Sequence, residues 1–380
     1  MKVPFYDHAR ENETIKDDLN KAIGRVINSG EYEQGKETKK FEEMLSRRYG
    51  ASFAITTGSC FDALLRSIIA LGIGKGDKVI TVSNTDIACS AAVRQAGAKV
   101  RFVDINEDDY NIDPSKIEDA INENTKSLLV VHMYGHPAKM NEILRIADEY
   151  ELFVIEDAAL AQEAKYKGRF VGTFGDVGCF SHAPSKILGN IGDGGSIITD
   201  DEGLAERIRN LFIYKSPGDR YRKVNGTKIH RGFKYQNEGY HGRMVEISAA
   251  ILRTKLKFLD QWVEKRRKIA EIYDDKLKDA NVSLPYETEG SYHVYRNYAV
   301  RVDDREYVRL ELARRGIESG MHYLPPLHRQ PVYSDLNYGP GSLPVTEKTS
   351  CELFTLPIYP SLTEEAATYV AETLAEITNR

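Results

Sequence analysis

The sequence predicts an α/β protein with a mostly parallel central sheet and a smaller α+β unit towards its C-terminal end. Three observations carry this. Short β-branched and aromatic runs recur through the first 200 residues, helical stretches fall between them, and the alternation gives way to a different pattern further on. The runs cover 53–55, 79–82, 100–103, 128–131, 152–155, 177–180 and 196–199. Several, such as Leu128-Leu129-Val130-Val131, are continuously apolar, as strands covered on both faces must be. Helices are expected over 63–71, 86–96, 114–121 and 140–149, and Gly72-Ile73-Gly74-Lys75-Gly76-Asp77 reads as a helix-to-strand turn.

Residues 213–239 are polar, rich in Gly, Lys and Arg, and without a period, which predicts a long loop. The stripe Met244, Ile247, Ile251, Leu256 and Leu259 predicts an amphipathic helix that runs on through Lys265-Arg266-Arg267 as a bridge. Beyond it, a strand over 295–302, a helix over 307–315 closed by Gly316, and a terminal helix over 364–377 make the second unit. The expected division is therefore 1–250 for the large domain and 251–380 for the small one.

Composition narrows the function. A chain of 380 residues, 41% hydrophobic and 29% charged, is neither disordered nor fibrous. At roughly 150 residues per domain it is long enough for two or three units. A net charge of −5 offers no basic footprint for nucleic acid or an anionic membrane. No apolar run approaches the ~18 residues of a membrane span, and Met1 to Asp7 lacks a leader's apolar segment, so a cytoplasmic protein is expected. Four scattered cysteines (Cys60, Cys89, Cys179, Cys351) without CxxC spacing suit a reducing compartment, each read as a small buried hydrophobe. The histidines show no metal spacing: His132 and His136 flank a strand end, not a helix face, so no metal is expected.

Two glycine motifs fall away. Gly30 to Lys36 begins like a phosphate loop, but Glu37 stands where Ser or Thr must reach magnesium. Gly72 to Gly76 joins helix to strand, the wrong order for a dinucleotide site. Three other segments gain meaning together. Thr57-Gly58-Ser59-Cys60-Phe61-Asp62 leads from strand to helix, where small residues let backbone N–H groups meet an anion; alone it reads equally as a capped helix start. Glu156-Asp157 closes an apolar strand, at the sheet edge where ligands bind in α/β folds. Lys186 follows a buried-looking strand inside a glycine-rich loop, where desolvation would make its amine nucleophilic. Phosphate cradle, carboxylate, then lysine is the set pyridoxal phosphate chemistry needs: N–H donors for the phosphate, an acid to keep the ring nitrogen protonated, an amine for the aldehyde.

The whole chain resembles the DegT/StrS-type sugar aminotransferases. The resemblance runs through Met1 to Asp7, the helix of Phe41 to Tyr49, Ala70 to Asp77, His132-Met133-Tyr134-Gly135-His136-Pro137, Glu156-Asp157-Ala158-Ala159, Phe180 to Gly195, Tyr240 to Arg253 and His322 to His328. It implies the fold-type I architecture of aspartate aminotransferase and pyridoxal 5′-phosphate as cofactor. Carried over by position, Lys186 would form the Schiff base and Asp157 would face the pyridinium nitrogen. Ser181 and the backbone at Ser59, Cys60 and Phe61 would hold the phosphate. His241, Gly242 and Arg243 match a stretch that reaches into a partner subunit's site, which implies a homodimer with shared sites. Tyr134, Arg243, His322 and Tyr323 are the positions expected to meet substrate. Family members with His in place of the lysine are dehydratases, and Lys186 speaks against that branch.

Three positions depart from the family pattern. Asp86 stands where an aromatic usually stacks on the cofactor ring, Leu160 where a Gln near the ring hydroxyl is common, with Gln162 two residues on as a substitute, and His241 where an Asn contacts the phosphate. The Asp193 form of the glycine motif resembles the branch that aminates C3 of nucleotide-linked keto sugars. The expected reaction moves an amino group from L-glutamate to such a sugar; Lys215, Arg220, Arg222, Lys223, Lys228 and Arg231 would meet phosphates or simply form a solvated loop. A 3-keto sugar phosphate, a keto-cyclitol, or a silent cofactor-binding regulator are the alternatives.

Overall fold

The structure is a computed structural model that describes residues 1–211, 221–230 and 239–379, with the backbone alone at 221–224 and 228–230. Lys215, Arg220 and Arg231 lie outside the described residues, as do the side chains of Arg222, Lys223 and Lys228.

All seven strand runs form strands: β1 (Phe53–Thr57), β2 (Lys78–Val82), β3 (Lys99–Val103), β4 (Thr125–Val131), β5 (Phe153–Asp157), β6 (Val177–Ser181) and β7 (Gly195–Thr199). They join in one sheet in the order β1-β7-β6-β5-β4-β2-β3. Neighbours from β6 to β3 pair in parallel, whereas β7 is antiparallel to both β6 and β1. Because β7 reverses the direction on each side, β1 again points the same way as β6. The chain therefore leaves β1, β2, β4, β5 and β6 at one edge of the sheet, where their following loops gather.

Helices cover the sheet. Cys60–Ala70 lies against β5, β6 and β7, and Met140–Glu149 against β5, burying Met140, Ile143, Ile146 and Ala147 at 3.6-residue spacing. Lys36–Tyr49 packs on β1 and on Glu246–Lys255. Its N-terminus has no side-chain cap of its own; instead the buried carboxylate of Glu246 accepts N–H bonds from Gly35, Glu37 and Thr38 at 2.7–3.1 Å. A second core gathers Ile269, Tyr273 and Leu277 of helix Leu259–Leu277, the antiparallel pair Tyr298–Arg301 and Leu353–Leu356, Val308 and Leu312 of helix Arg305–Arg314, and Val370 and Leu374 of Glu364–Thr378. Val3 belongs to this core: its N–H reaches Gly316 O at 2.8 Å and its carbonyl accepts from Glu318 at 3.0 Å.

Four expectations change. The helix over 114–121 is two 3₁₀ turns, Pro114–Lys116 and Glu118–Ala120, closed by i+3 bonds such as Ile117 N to Pro114 O at 3.2 Å and Ile121 N to Glu118 O at 3.1 Å. The bridging helix is broken by the 3₁₀ turn Leu256–Phe258. The strand over 295–302 shortens to Tyr298–Arg301, because Tyr295 sits at φ 45°, outside the β region. Within the segment read as a loop, Tyr221–Val224 pairs with Thr227–His230 across Asn225-Gly226, both at positive φ (49° and 79°), a two-residue hairpin turn.

Candidate active site

Strand ends and the loops after them at the gathered edge contribute the parts. After β1, Ser59 caps the helix Cys60–Ala70: its Oγ accepts from Asp62 N at 3.1 Å and donates to Asp62 Oδ2 at 3.0 Å. Capping leaves the first-turn N–H groups of Cys60 and Phe61 directed out of the helix end, with the positive end of its dipole. The cradle is tight. A Cβ on Gly195 would lie 2.4 Å from Ser59 O and 2.4 Å from Thr57 Oγ1, so only glycine fits beneath the turn. Ser181, at the end of β6 and paired in register with Gly195, is buried beside it.

The acid pair at the end of β5 divides by face, as alternate strand residues must. Glu156 points into the protein and is fully satisfied: it accepts from the N–H groups of Gly172, Phe174 and Gly175 at 2.6–2.7 Å and from His132 Nε2 at 3.0 Å. Its neighbour Asp157 is buried, with Ala159 N (3.0 Å) and the Cys89 thiol (2.8 Å) as its donors among the described residues. Burial raises the Asp157 carboxyl above its usual range, against the lowering by Cys89, Ala159 and the Lys186 charge.

Lys186 stands in a compact loop whose ends are held by His182: its N–H reaches Gly194 O, its carbonyl accepts from Asn190 N, both at 2.8 Å, and its Nε2 meets Ser196 Oγ at 2.9 Å. Gly189 is required here, since a Cβ would fall 2.1 Å from Pro184 O. Desolvation lowers the Lys186 amine below the usual lysine range, and the nearby Arg296 cation lowers it further; Cys60, Asp157 and Asp86 act the other way. Cys60, Asp157 and Asp86 thus lie within electrostatic reach of the Lys186 amine.

Tyr323 is within electrostatic reach of Asp86, Arg296, Cys89 and Asp157. His322 stacks on Phe5 at 5.7 Å, and burial lowers its imidazole to about 3, so it is neutral. Its Nδ1 meets Thr355 Oγ1 at 3.1 Å and Asn297 Nδ2 at 3.4 Å, and the hydroxyl of the buried Tyr134 donates to its carbonyl. Tyr134 thus acts as a support for His322. Arg243 pairs with Glu33 at 3.1 Å and meets the exposed His241 at 3.4 Å. Between them Gly242 anchors this stretch on the cradle, its carbonyl accepting from Gly58 N at 2.7 Å.

The three departures find places, His241 exposed beside Arg243. Asp86 is exposed and caps the helix Ile87–Gln95 through Ala88 N at 2.9 Å. Leu160 is packed in the main core. The Gln162 side chain is buried beside the Tyr49 hydroxyl, with neither amide atom in a well-formed hydrogen bond. Sequence reasoning also missed two contributors. Cys89 was read as a plain hydrophobe, yet its thiol donates to Asp157; Arg296, from the far unit, reaches Ser185 Oγ at 3.0 Å, next to Lys186. No local motif marks either.

These residues fit pyridoxal phosphate. An N–H cradle that tolerates only glycine beneath it suits a phosphate, and a buried carboxylate with one N–H and one thiol has room for a charged ring N–H. A desolvated amine facing both suits the aldehyde.

Comparison with known proteins agrees. The DegT/DnrJ/EryC1/StrS aminotransferase family matches residues 13–375. The chain is 39% identical over 379 residues to a pleiotropic regulatory protein of Geobacillus stearothermophilus, spanning 99% of this chain and 98% of that one. It is 38% identical over 370 residues to the dTDP-3-amino-3,6-dideoxy-α-D-galactopyranose transaminase of Aneurinibacillus thermoaerophilus, spanning 97% and 98%. The crystal structure of Streptomyces venezuelae DesV in complex with a ketimine intermediate superposes with a TM-score of 0.93 at 36% identity, covering 100% of this chain and 99% of that one. On the motifs, the fold and these likenesses together, the chain belongs to the DegT/DnrJ/EryC1/StrS aminotransferase family.

Proposed function

We propose that the protein transfers an amino group from L-glutamate to C3 of a nucleotide-linked 3-keto-6-deoxyhexose, working as a homodimer in the cytoplasm with Lys186 and Asp157 as its central pair. The observation that carries this is a desolvated amine, Lys186, within electrostatic reach of the buried Asp157 carboxylate, at the same end of the sheet as the Ser59 turn. The Asp193 glycine motif and the 3-amino sugar transaminase among the relatives support the C3 acceptor. Four cysteines that form no disulfide, three of them buried, support a reducing compartment.

Bound here, pyridoxal phosphate supplies an electron sink for the pair of electrons left when a proton departs from the carbon bearing the amine. The chain supplies everything else. Lys186 Nζ, biased towards its uncharged form, takes the proton from the donor's Cα and returns one to the acceptor carbon in the second half-reaction. Asp157 keeps a proton on the ring nitrogen, and Cys89 and Ala159 fix the orientation of its carboxylate. Neutral His322 and the Tyr323 hydroxyl offer donors for sugar oxygens without adding charge.

The test is the visible absorption of the purified protein with pyridoxal phosphate, before and after L-glutamate, followed by product analysis with acceptors. A cofactor band bleached by glutamate and restored by a dTDP-linked 3-keto sugar is the expected result. Restoration by a 3-keto sugar phosphate or a keto-cyclitol alone would replace the acceptor, and a band that glutamate leaves unchanged would overturn the donor.

A further inference from the structure

Arg296 is a buried cation without a counter-ion. Its residue is 3% exposed, yet its partners are neutral: Nη2 donates to Ser185 Oγ at 3.0 Å, Nη1 donates to the Tyr6 hydroxyl, and the guanidinium lies 5.0 Å from the centre of the Tyr6 ring. Its Nε has no hydrogen-bond partner, and no carboxylate among the described residues pairs with it. A buried charge in that condition is costly unless a ligand neutralises it. The uncompensated field is visible on its neighbours: Arg296 lowers the proton affinity of Lys186, Arg266 and His322 alike. The half-buried Arg48, by contrast, is clamped by Glu163.

We propose that Arg296 binds the α-carboxylate of the amino donor. The position decides which anion it takes. The cofactor's phosphate belongs at the Ser59 end, whereas Arg296 enters from the opposite unit and touches Ser185, the residue before Lys186. A donor amine must come to the place the Lys186 amine occupies, and its carboxylate is one bond from the carbon bearing that amine. The carboxylate therefore falls beside Lys186, where the planar fork of Arg296 can take it in two parallel bonds. Tyr6, stacked on the guanidinium, and Ser185 hold the fork in place. The inference rests on the aminotransferase reading but not on the identity of the sugar.

The test uses the holoenzyme and the first half-reaction alone, following the cofactor band. L-Glutamate is compared with 4-aminobutanoate, which keeps the distal carboxylate and lacks the α-carboxylate. In the wild type, glutamate is expected to be favoured in kcat/KM by about a hundredfold, or about 2.7 kcal/mol at 1.36 per tenfold. In Arg296→Gln that preference should fall below about tenfold, with the loss appearing mainly as a raised KM for glutamate. Arg296→Lys, a charge without the fork, should lie between. A preference unchanged in Arg296→Gln overturns the proposal, as does an effect confined to the sugar half-reaction, which would give Arg296 to an acid group of the acceptor. Should Arg296→Gln fail to fold, the intermediate value of Arg296→Lys and the wild-type preference still decide. A second readout needs no turnover: glutarate should raise the melting temperature of wild-type holoenzyme and leave that of Arg296→Gln unchanged, and equal shifts would refute the site. If no amino acid bleaches the wild-type band, the donor reading fails, while the glutarate comparison still reports on Arg296.

Discussion

Replacing Glu156 with Gln should cost the protein about 4 kcal/mol of stability while its neighbour Asp157→Asn costs almost none. The Glu156 carboxylate receives four donors: Phe174 and Gly175 N–H on Oε1, and Gly172 N–H with His132 Nε2 on Oε2. A glutamine can keep its oxygen at the first pair, but its NH2 then faces two further donors. His132 cannot relieve this by changing tautomer, since its Nδ1 already accepts from Ala138 N at 3.1 Å. Two buried donors left unpaired at about 1–3 kcal/mol each give the figure. Asp157 is the reverse case: its raised carboxyl means that folding disfavours the charged form at neutral pH, so removing that charge offsets the lost thiol bond. Guanidinium denaturation of the cofactor-free variants at pH 7 measures both. Asp157→Asn should stay within about 1 kcal/mol of wild type and lose at least about a hundredfold in transamination. Equal destabilisation by the two, or a loss below about 1 kcal/mol for Glu156→Gln, would refute the assignment of one acid to structure and the other to chemistry.

Lys186→Ala should abolish glutamate-dependent bleaching and raise the melting temperature of the cofactor-free protein, because a desolvated amine is removed; unchanged turnover would end the lysine's assignment. Gly195→Ala places a methyl 2.4 Å from Ser59 O, and should weaken pyridoxal phosphate binding by at least about tenfold as the cradle moves, read by equilibrium titration of the cofactor band. Stability should fall in acid. Burial lowers His136 and His182 to about 4 each from an ordinary 6.5, so the unfolded chain binds these protons first. Their contribution is complete above pH ~6.5 and is lost as pH falls towards 4, at up to about 1.4 kcal/mol per pH unit for each; a flat denaturation midpoint between pH 7 and 4.5 would contradict it.

Much of the sheet was readable because its strands are covered on both faces and so are continuously apolar, as in Leu128 to Val131. The reversal of β7 was not, since pairing direction leaves no mark on a run such as Ser196-Ile197-Ile198-Thr199. The hairpin turn was readable in principle: Asn225-Gly226 between alternating residues is a strong local signal, masked by the surrounding charge. At the site, Lys186, Asp157 and the Ser59 turn lie at loop positions that local pattern marks, next to glycines or at a strand end. Cys89 and Arg296 are set by packing between distant segments, 68 residues from Asp157 and 111 from Ser185 respectively. Residue type alone cannot tell a thiol that packs from one that donates, or a surface arginine from a buried one.

Residues Val3 to Tyr6 cross from the second core to the candidate site. Val3 extends the ladder at Gly316 and Glu318, Phe5 N reaches Glu318 Oε2 at 2.9 Å, Phe5 covers His322, and Tyr6 carries Arg296. These residues brace two side chains of the candidate site from outside the sheet, so a change at Phe5 or Tyr6 acts on His322 and Arg296 without touching a strand.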